Sequence, residues 1–171
     1  MKGKVKFSFI VALCLSASAA CSGDYTVQRS TVINAPVNTI FEKVNNLKKN
    51  AEWSPWILED PTLKITYNDI PAGVGASSRF VSKKEDYEGG ITISESVENK
   101  KIVNELDFKE RGKAKAVFLF EKEGSGVKVT WTMTGTGEGV MGKMFAPFMD
   151  SMVGPYYERG LAKLKEVSEK N

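Results

Sequence analysis

The sequence predicts an α+β fold: a curved antiparallel sheet of about seven strands wrapped on a long C-terminal helix, with two short helices after the first strand. Three observations predict it. Between residues 63 and 134, short segments of alternating apolar and polar residues follow one another with only turn-like stretches between them, the mark of sequential hairpins. Helical spacing of apolar residues is confined to a short stretch after Pro36 and a long one after Phe145. A length of 171 residues with 42% apolar content suits one domain with a full core.

The first twenty residues read as a secretion signal. Lys2, Lys4 and Lys6 form a positive stretch, Phe7 to Leu15 a short apolar core, and Ser16 to Ala20 a run of small residues ending at Cys21. The apolar core is far short of the ~20 residues that span a bilayer as a helix. Ser18-Ala19-Ala20-Cys21 resembles a bacterial lipobox, whose cysteine is lipidated and becomes the new N-terminus. The competing reading is ordinary cleavage at Ala17-Ser18-Ala19, leaving Cys21 as a stray thiol. Cys14 would depart with the signal, and an unpaired thiol in an oxidising compartment is a liability, which favours lipidation. The expected organisation is therefore a removed signal at 1–20, a lipidated, flexible N-terminus at 21–24, and a single domain at 25–171. Export to the cell envelope follows, with a lipid anchor at Cys21. Ser22 lacks the aspartate associated with inner-membrane retention, which points to the outer membrane.

Thr26 to Ile33 is rich in β-branched residues and reads as the first strand. Asn34-Ala35-Pro36 then offers a capping asparagine and a first-turn proline, and Val37, Ile40, Phe41 and Val44 share one face of the helix that follows. Asn45 to Trp56 is irregular or a short second helix, stopped by Pro55. Leu63, Ile65 and Tyr67 alternate with Lys64 and Thr66; Asp69 to Gly75 is a turn. Further strands are expected at Ala76 to Ser82, Gly90 to Val97, Ile102 to Lys109, Ala114 to Glu121 and Val127 to Thr134. In the last, Val127, Val129, Trp131 and Met133 alternate with Lys128 and three threonines, as in a strand with one wet face. The closing helix carries Phe145, Met149, Met152, Val153, Tyr156, Leu161, Leu164 and Val167 as an apolar stripe, with a kink expected at Pro155.

Charge and composition exclude several chemistries. The chain has 24 Lys plus Arg against 21 Asp plus Glu, and loss of the signal with its three lysines leaves the two signs balanced. A neutral domain has no electrostatic footprint for nucleic acid. The absence of histidine removes Ser-His and Cys-His nucleophiles, an imidazole base and His-ligated zinc. No metal site and no cofactor are expected. Gly137 to Gly142 spells G-x-G-x-x-G, and Gly137 to Lys143 spells most of a phosphate-binding loop. The first lacks the second parallel strand of a dinucleotide fold, and the second has Met144 where a magnesium-holding hydroxyl belongs. No nucleotide is expected; the stretch reads as a hairpin-to-helix connection. Glu59-Asp60 and Glu85-Asp86 read as solvated turns.

Two polar residues sit on apolar strand faces. Asn104 alternates with Ile102, Leu106 and Phe108, and Glu95 with Ile91, Ile93 and Val97. Such a group must find a partner or line a wet cavity; alternatively the alternation breaks at a bulge. With Arg79 and Tyr67 these are the candidates for polarising a carbonyl. Trp53, Trp56, Tyr67, Phe80, Trp131 and the methionine-rich helix face are first of all core. A curved sheet gripping one helix nevertheless leaves space that Ala76, Ser78, Ala114 and Ala116 would not fill.

Four segments carry a resemblance to a known family: Ile33-Asn34-Ala35-Pro36 with Ile40-Phe41; Trp53-Ser54-Pro55-Trp56 with Asp60-Pro61; Val129-Thr130-Trp131 with Met133; and Met152-Val153-Gly154 with Gly160-Leu161 through Lys165. In this order the chain resembles the polyketide cyclase/dehydrase-like branch of the SRPBCC superfamily, the START-like, helix-grip proteins that include the birch pollen allergen. The resemblance implies a hydrophobic pocket between sheet and C-terminal helix for lipids, sterols, polyketides or other apolar ligands. The residues expected to line it are Trp53, Trp56, Tyr67, Phe80, Ile91, Ile93, Leu106, Phe108, Phe118, Trp131, Met133, Met149, Met152 and Tyr156. The favoured expectation is an envelope protein that binds or carries a small hydrophobic ligand, touching the membrane only through its lipid anchor. The alternatives are a cyclase or dehydratase that uses the polar pocket residues, and a chaperone-type interaction module.

Overall fold

The computed structural model describes residues 23–84, 86–137 and 139–170; the stretch read as a secretion signal and the lipobox-like cysteine lie outside the described residues. The order is β1 (Asp24–Ile33), α1 (Val37–Asn45), a 3-10 turn (Leu47–Glu52), α2 (Pro55–Glu59), β2 (Lys64–Tyr67), β3 (Ser77–Ser82), β4 (Tyr87–Val97), β5 (Lys101–Asp107), β6 (Lys113–Glu123), β7 (Gly126–Thr136), α3 (Gly139–Phe145), a second 3-10 turn (Ala146–Phe148) and α4 (Met149–Glu169). The seven strands form one antiparallel sheet in the order β1-β7-β6-β5-β4-β3-β2. Each hairpin pairs with its neighbour in sequence, and the chain's first strand closes against its last. This is the α+β arrangement that the strand-and-helix pattern predicts.

The alternation of each strand sets the two faces of the sheet. Val27 and Ile33 of β1, Val127, Val129, Trp131 and Met133 of β7, and Ala114, Ala116, Phe118 and Phe120 of β6 turn inward and are buried. α1, α2 and α4 cover that face, with α4 running along β1. Ile40, Phe41 and Val44 of α1 are buried as their spacing predicts, and Phe41 meets Phe120 edge to face at 5.4 Å. Trp53 lies beneath them and donates its indole N–H to the Lys43 carbonyl at 3.0 Å.

Several local expectations are corrected. Asn34 does not cap α1: its backbone N–H donates to Glu169 Oε1 at 2.6 Å, and Pro36 stands at the capping position. Pro55 starts α2 rather than stopping a helix, because a proline's fixed φ and missing N–H suit a first turn. Asp60 is buried, not a solvated turn. It accepts from the Thr62 N–H, the Thr62 hydroxyl and the Ser82 hydroxyl at 2.8, 2.7 and 2.5 Å, tying the end of α2 to β3. The C-terminal helix is continuous through Pro155; the chain breaks earlier, at the 3-10 turn containing Pro147.

The glycine-rich stretch after β7 is a packing device. A Cβ at Gly137 would lie 2.2 Å from the Gly142 carbonyl oxygen, and one at Gly23 would lie 2.3 Å from the Gly137 carbonyl oxygen. Gly137 N–H donates to Gly23 O at 2.7 Å. Three glycines thus let the start of the domain, the end of β7 and helix α3 meet backbone to backbone.

Candidate functional site

The inner face divides into two halves. On the β1–β7 side, aromatic rings fill the space beneath α4. Tyr157 stacks on Trp131 with centroids 3.7 Å apart and planes 16° from parallel, and Phe118 stacks on the same indole at 4.8 Å. Trp53 and Trp56 meet Trp131 edge-on at 5.6 and 5.8 Å, and Tyr156 stacks on Trp56 at 5.4 Å. Arg159 lies over the Tyr156 ring at 4.5 Å while its guanidinium pairs with Glu59. Tyr157 is the central ring of this half and is almost fully buried. Burial pushes its phenol well above the ordinary tyrosine range, with the nearby Tyr25 adding to the effect.

On the β2–β5 side Ser82, Ile93, Ile102 and Asn104 are buried, but the inner side chains toward one end are only half-buried. Tyr67 of β2, Ile91 of β4 and Leu106 of β5, with Phe108 just beyond, pack against the core while keeping part of their surface open, and Phe80 of β3 is half-buried beside them. Phe80 sits 6.3 Å from Phe108. The floor between the two halves is built of small or deeply buried groups: Ala76, Ser78, Ile93, Ala114 and Ala116. Burial pushes the Tyr67 phenol upward.

Asn104 lies in this floor. β5 is regular, so its register carries Asn104 inward, opposite Ile93 on one side and Ala116 on the other. The residue is 6% exposed and its Oδ1 has no hydrogen-bond partner. The Trp131 indole N–H is likewise buried without a partner. An acceptor and a donor, both left unpaired on an otherwise apolar face, are costly unless something polar meets them.

Glu95 takes the opposite course. The register of β4 slips between Ile93 and Glu95, so Ile93 pairs with Asn104 but Glu95 pairs with Val103. A bulge at Ser94 therefore turns Glu95 to the outer face, where Lys101 holds its carboxylate at 2.9 Å. Ser96 takes the inward place and shares a 2.8 Å hydrogen bond with Asn45 of α1. Arg79 also points outward, exposed between Thr66 and Gly90. Of the four polar candidates, the fold brings Asn104 and Tyr67 to one face and separates Glu95 and Arg79 from them.

Among the expected lining residues, Trp53, Ile93, Phe118, Trp131 and Met133 are buried, and Trp56, Met149 and Tyr156 are partly so. Met152 is 54% exposed. Tyr157, absent from the expected lining, holds the place assigned to its neighbour; its spacing of four residues from both Val153 and Leu161 is the sequence signal that marks it. Two hollows of about 300 and 270 Å³ are the best formed among the described residues. The first lies on the outer face, along Glu105, Lys115 and Thr134, and the second in the seam between β1 and α4 by Arg29 and Lys165. Both are open to solvent, and neither contains Asn104. Among the described residues no three of His, Cys, Asp and Glu converge as a metal site would require.

The family described as "Polyketide cyclase / dehydrase and lipid transport" matches residues 24–169. No curated protein matches the sequence. Solved structures are similar in fold. A protein from Chromobacterium violaceum superposes with a TM-score of 0.64 at 14% identity, over 85% of this chain and 98% of that one. Ara h 8.0201 gives 0.62 at 14% identity, over 86% and 99%. The di-domain aromatase/cyclase StfQ of the steffimycin biosynthetic pathway gives 0.65 at 10% identity, over 86% of this chain and 51% of that one.

Proposed function

The chain belongs to the polyketide cyclase/dehydrase and lipid transport family, and on that premise we propose that it binds or carries a small hydrophobic ligand bearing one polar group. The ligand lies against Tyr67, Phe80, Ile91, Leu106 and Phe108, with its polar end directed at Asn104. The observation that carries this reading is the buried, unpartnered Oδ1 of Asn104, set between Ile93 and Ala116 in the floor. An oxygen so placed is a strong acceptor for a ligand hydroxyl or protonated acid, and contact with it relieves a desolvation cost already present in the free protein. The apolar rings around it provide affinity without direction.

A binding role fits better than catalysis. The two groups that could have served as acid and electrophile, Glu95 and Arg79, stand on the far side of the sheet. We further propose that the domain works in the cell envelope, held by a lipid on Cys21 after removal of residues 1–20, as the lipobox-like Ser18-Ala19-Ala20-Cys21 supports.

The test is native mass spectrometry of the purified protein, followed by titration of tryptophan emission with a long-chain fatty acid, a sterol and a polycyclic aromatic polyketide. The expected result is a bound oxygenated lipophile, or saturable quenching by at least one of the three. No bound species and no saturable response to any of them would overturn the binding role.

A further inference from the structure

Six large apolar side chains within thirteen residues stand out in water: Val140, Met141, Met144, Phe145, Phe148 and Met152, between 46% and 84% exposed. They belong to α3, the turn after it and the start of α4. From Met141 to Met152 they stand three, one, three and four residues apart across α3, the turn and the first residues of α4. A contiguous apolar patch of this kind marks an interaction surface.

Its position narrows what the surface meets. The Gly23 carbonyl accepts from the N–H of Gly137, two residues before α3 begins, and a Cβ at Gly23 would lie 3.2 Å from the side chain of Lys143 within α3. Cys21 is two residues from Gly23, so it cannot be farther than about 7 Å of chain from this contact. The patch and the chain leading to Cys21 therefore leave the domain at the same place. The registers Asp24 with Thr136, Ala114 with Gly135, Asp107 with Lys113 and Gly90 with Asp107 put Leu106, Phe108 and Ile91 at this end too. The half-buried rings and the exposed patch share one end of the sheet.

We propose that Val140, Met141, Met144, Phe145, Phe148 and Met152 form a lip that lies in the surface of a lipid bilayer, with the open end of the concave face turned toward the membrane. This rests on the reading of Cys21 as an anchor. A lipid on Cys21 tethers the domain to the bilayer but leaves its orientation free, and a second apolar contact beside the tether fixes that orientation. The lip supplies that contact and lets an apolar ligand pass between bilayer and sheet without crossing water.

The test uses the full chain, exported and processed by a bacterial host, with an environment-sensitive dye on Met144→Cys or Phe148→Cys and, as a control at the opposite end, on Lys122→Cys. The product is mixed with vesicles of phosphatidylethanolamine and phosphatidylglycerol, some bearing acyl-chain spin labels, and its mass reports lipid on Cys21. Expected are a blue shift and at least threefold stronger spin-label quenching at 144 and 148 than at 122. Paired Met141→Asp and Phe148→Asp substitutions should lower the vesicle-bound fraction of unlipidated protein at least tenfold, or release the dyes from quenching in lipidated protein. Dyes that stay in water on vesicle-bound protein overturn the lip even if Cys21 carries lipid. Dyes that blue-shift without vesicles, in step with protein concentration, overturn it in favour of a second copy. Quenching without lipid on Cys21 supports the lip and removes only the anchor.

Discussion

The guanidinium of Arg29 occupies the space that a side chain at position 154 would need: a Cβ on Gly154 would fall 2.1 Å from Arg29 Nη2. Arg29 sits on the inner face of β1, and its nitrogens bond Asp150 Oδ1 at 2.8 Å, Asp150 Oδ2 at 3.1 Å and Glu158 Oε1 at 2.7 Å. Those carboxylates flank Gly154 along α4, so the arginine is clamped across the helix at a residue without a side chain. The glycine serves the approach of α4 to β1.

Gly154→Ala should therefore lower the melting temperature, although alanine is favoured over glycine in a helix interior by roughly 1 kcal/mol. The guanidinium can make room only by leaving its carboxylates. In an Arg29→Ala background the obstruction is gone, and Gly154→Ala should then stabilise by up to about that amount. Thermal unfolding of the two single variants and the double variant measures the reversal. If Gly154→Ala stabilises in both backgrounds, the clamp does not hold Arg29 in place.

The stack of Tyr157 on Trp131 predicts a large and specific loss. Tyr157→Ala empties the centre of the aromatic half and should cost about 3–5 kcal/mol, in the range of buried aromatic truncations. Tyr157→Phe keeps the ring and should stay within about 1 kcal/mol of the native protein. Urea midpoints distinguish the two. A Tyr157→Phe variant as damaged as Tyr157→Ala would move the weight from the ring to the hydroxyl.

Acid should unfold the protein in a narrow range. Hydrogen bonds from Ser82 and Thr62 hold the Asp60 carboxyl below its ordinary value, Arg29 does the same for Asp150, and Lys170 and Lys163 hold Glu166 down to about 2. Each carboxyl is a stronger acid folded than unfolded, so its contribution is complete above the unfolded value near 4 and is lost as pH falls toward 2. With no histidine in the chain, no side chain has its ordinary value between pH 5 and 8. Urea midpoints should be flat across that span and fall between pH 4 and 2. Ser82→Ala, which removes the strongest of the Asp60 contacts, should lower the midpoint at pH 7 and converge with the native protein by pH 2. A gap that persists at pH 2 would mean Ser82 acts through packing.

How far the sequence was legible depended on whether local pattern or tertiary contact decided each residue. The hairpins were readable because one wet and one dry face write a period of two into β6 and β7, and α1 because Ile40, Phe41 and Val44 carry the helical period. Asn104 was readable for the same reason: β5 has no irregularity, so counting from Ile102 puts it inward. Glu95 required knowing that Ser94 is a bulge, and a single extra residue leaves no mark in composition or spacing. The C-terminal stripe holds at Met149, Val153, Leu161, Leu164 and Val167 and fails at Phe145, Met152 and the choice of Tyr156 over Tyr157. Tyr156 and Tyr157 lie 100° apart on the helix, and the spacing of four from Val153 and Leu161 to Tyr157 carries the distinction that hydrophobicity alone does not. Met152 and Phe145 look like core in sequence because a methionine-rich stripe usually fills space; here the stripe continues past the edge of the sheet. The glycines at 137 and 142 were recognised as a connection, but the contact with Gly23 that makes them necessary spans more than a hundred residues.

Asn104→Leu gives the sharpest separation of structure from function. If the Asn104 amide were part of the framework, its loss would cost about 1–3 kcal/mol, as for other buried polar contacts. Its Oδ1 has no partner to lose, and leucine is close to it in size while matching its neighbours Ile93 and Ala116. The urea midpoint should therefore hold or rise. Binding should change in the opposite sense: ligands with a hydroxyl or protonated acid should weaken at least tenfold, whereas a pure hydrocarbon of equal length should bind as well or better. Titrating both through tryptophan emission, beside unfolding curves for the same preparation, reads the two effects independently. A variant that loses stability and treats both ligands alike would make Asn104 a framework residue and place the polar end of the ligand elsewhere on the sheet.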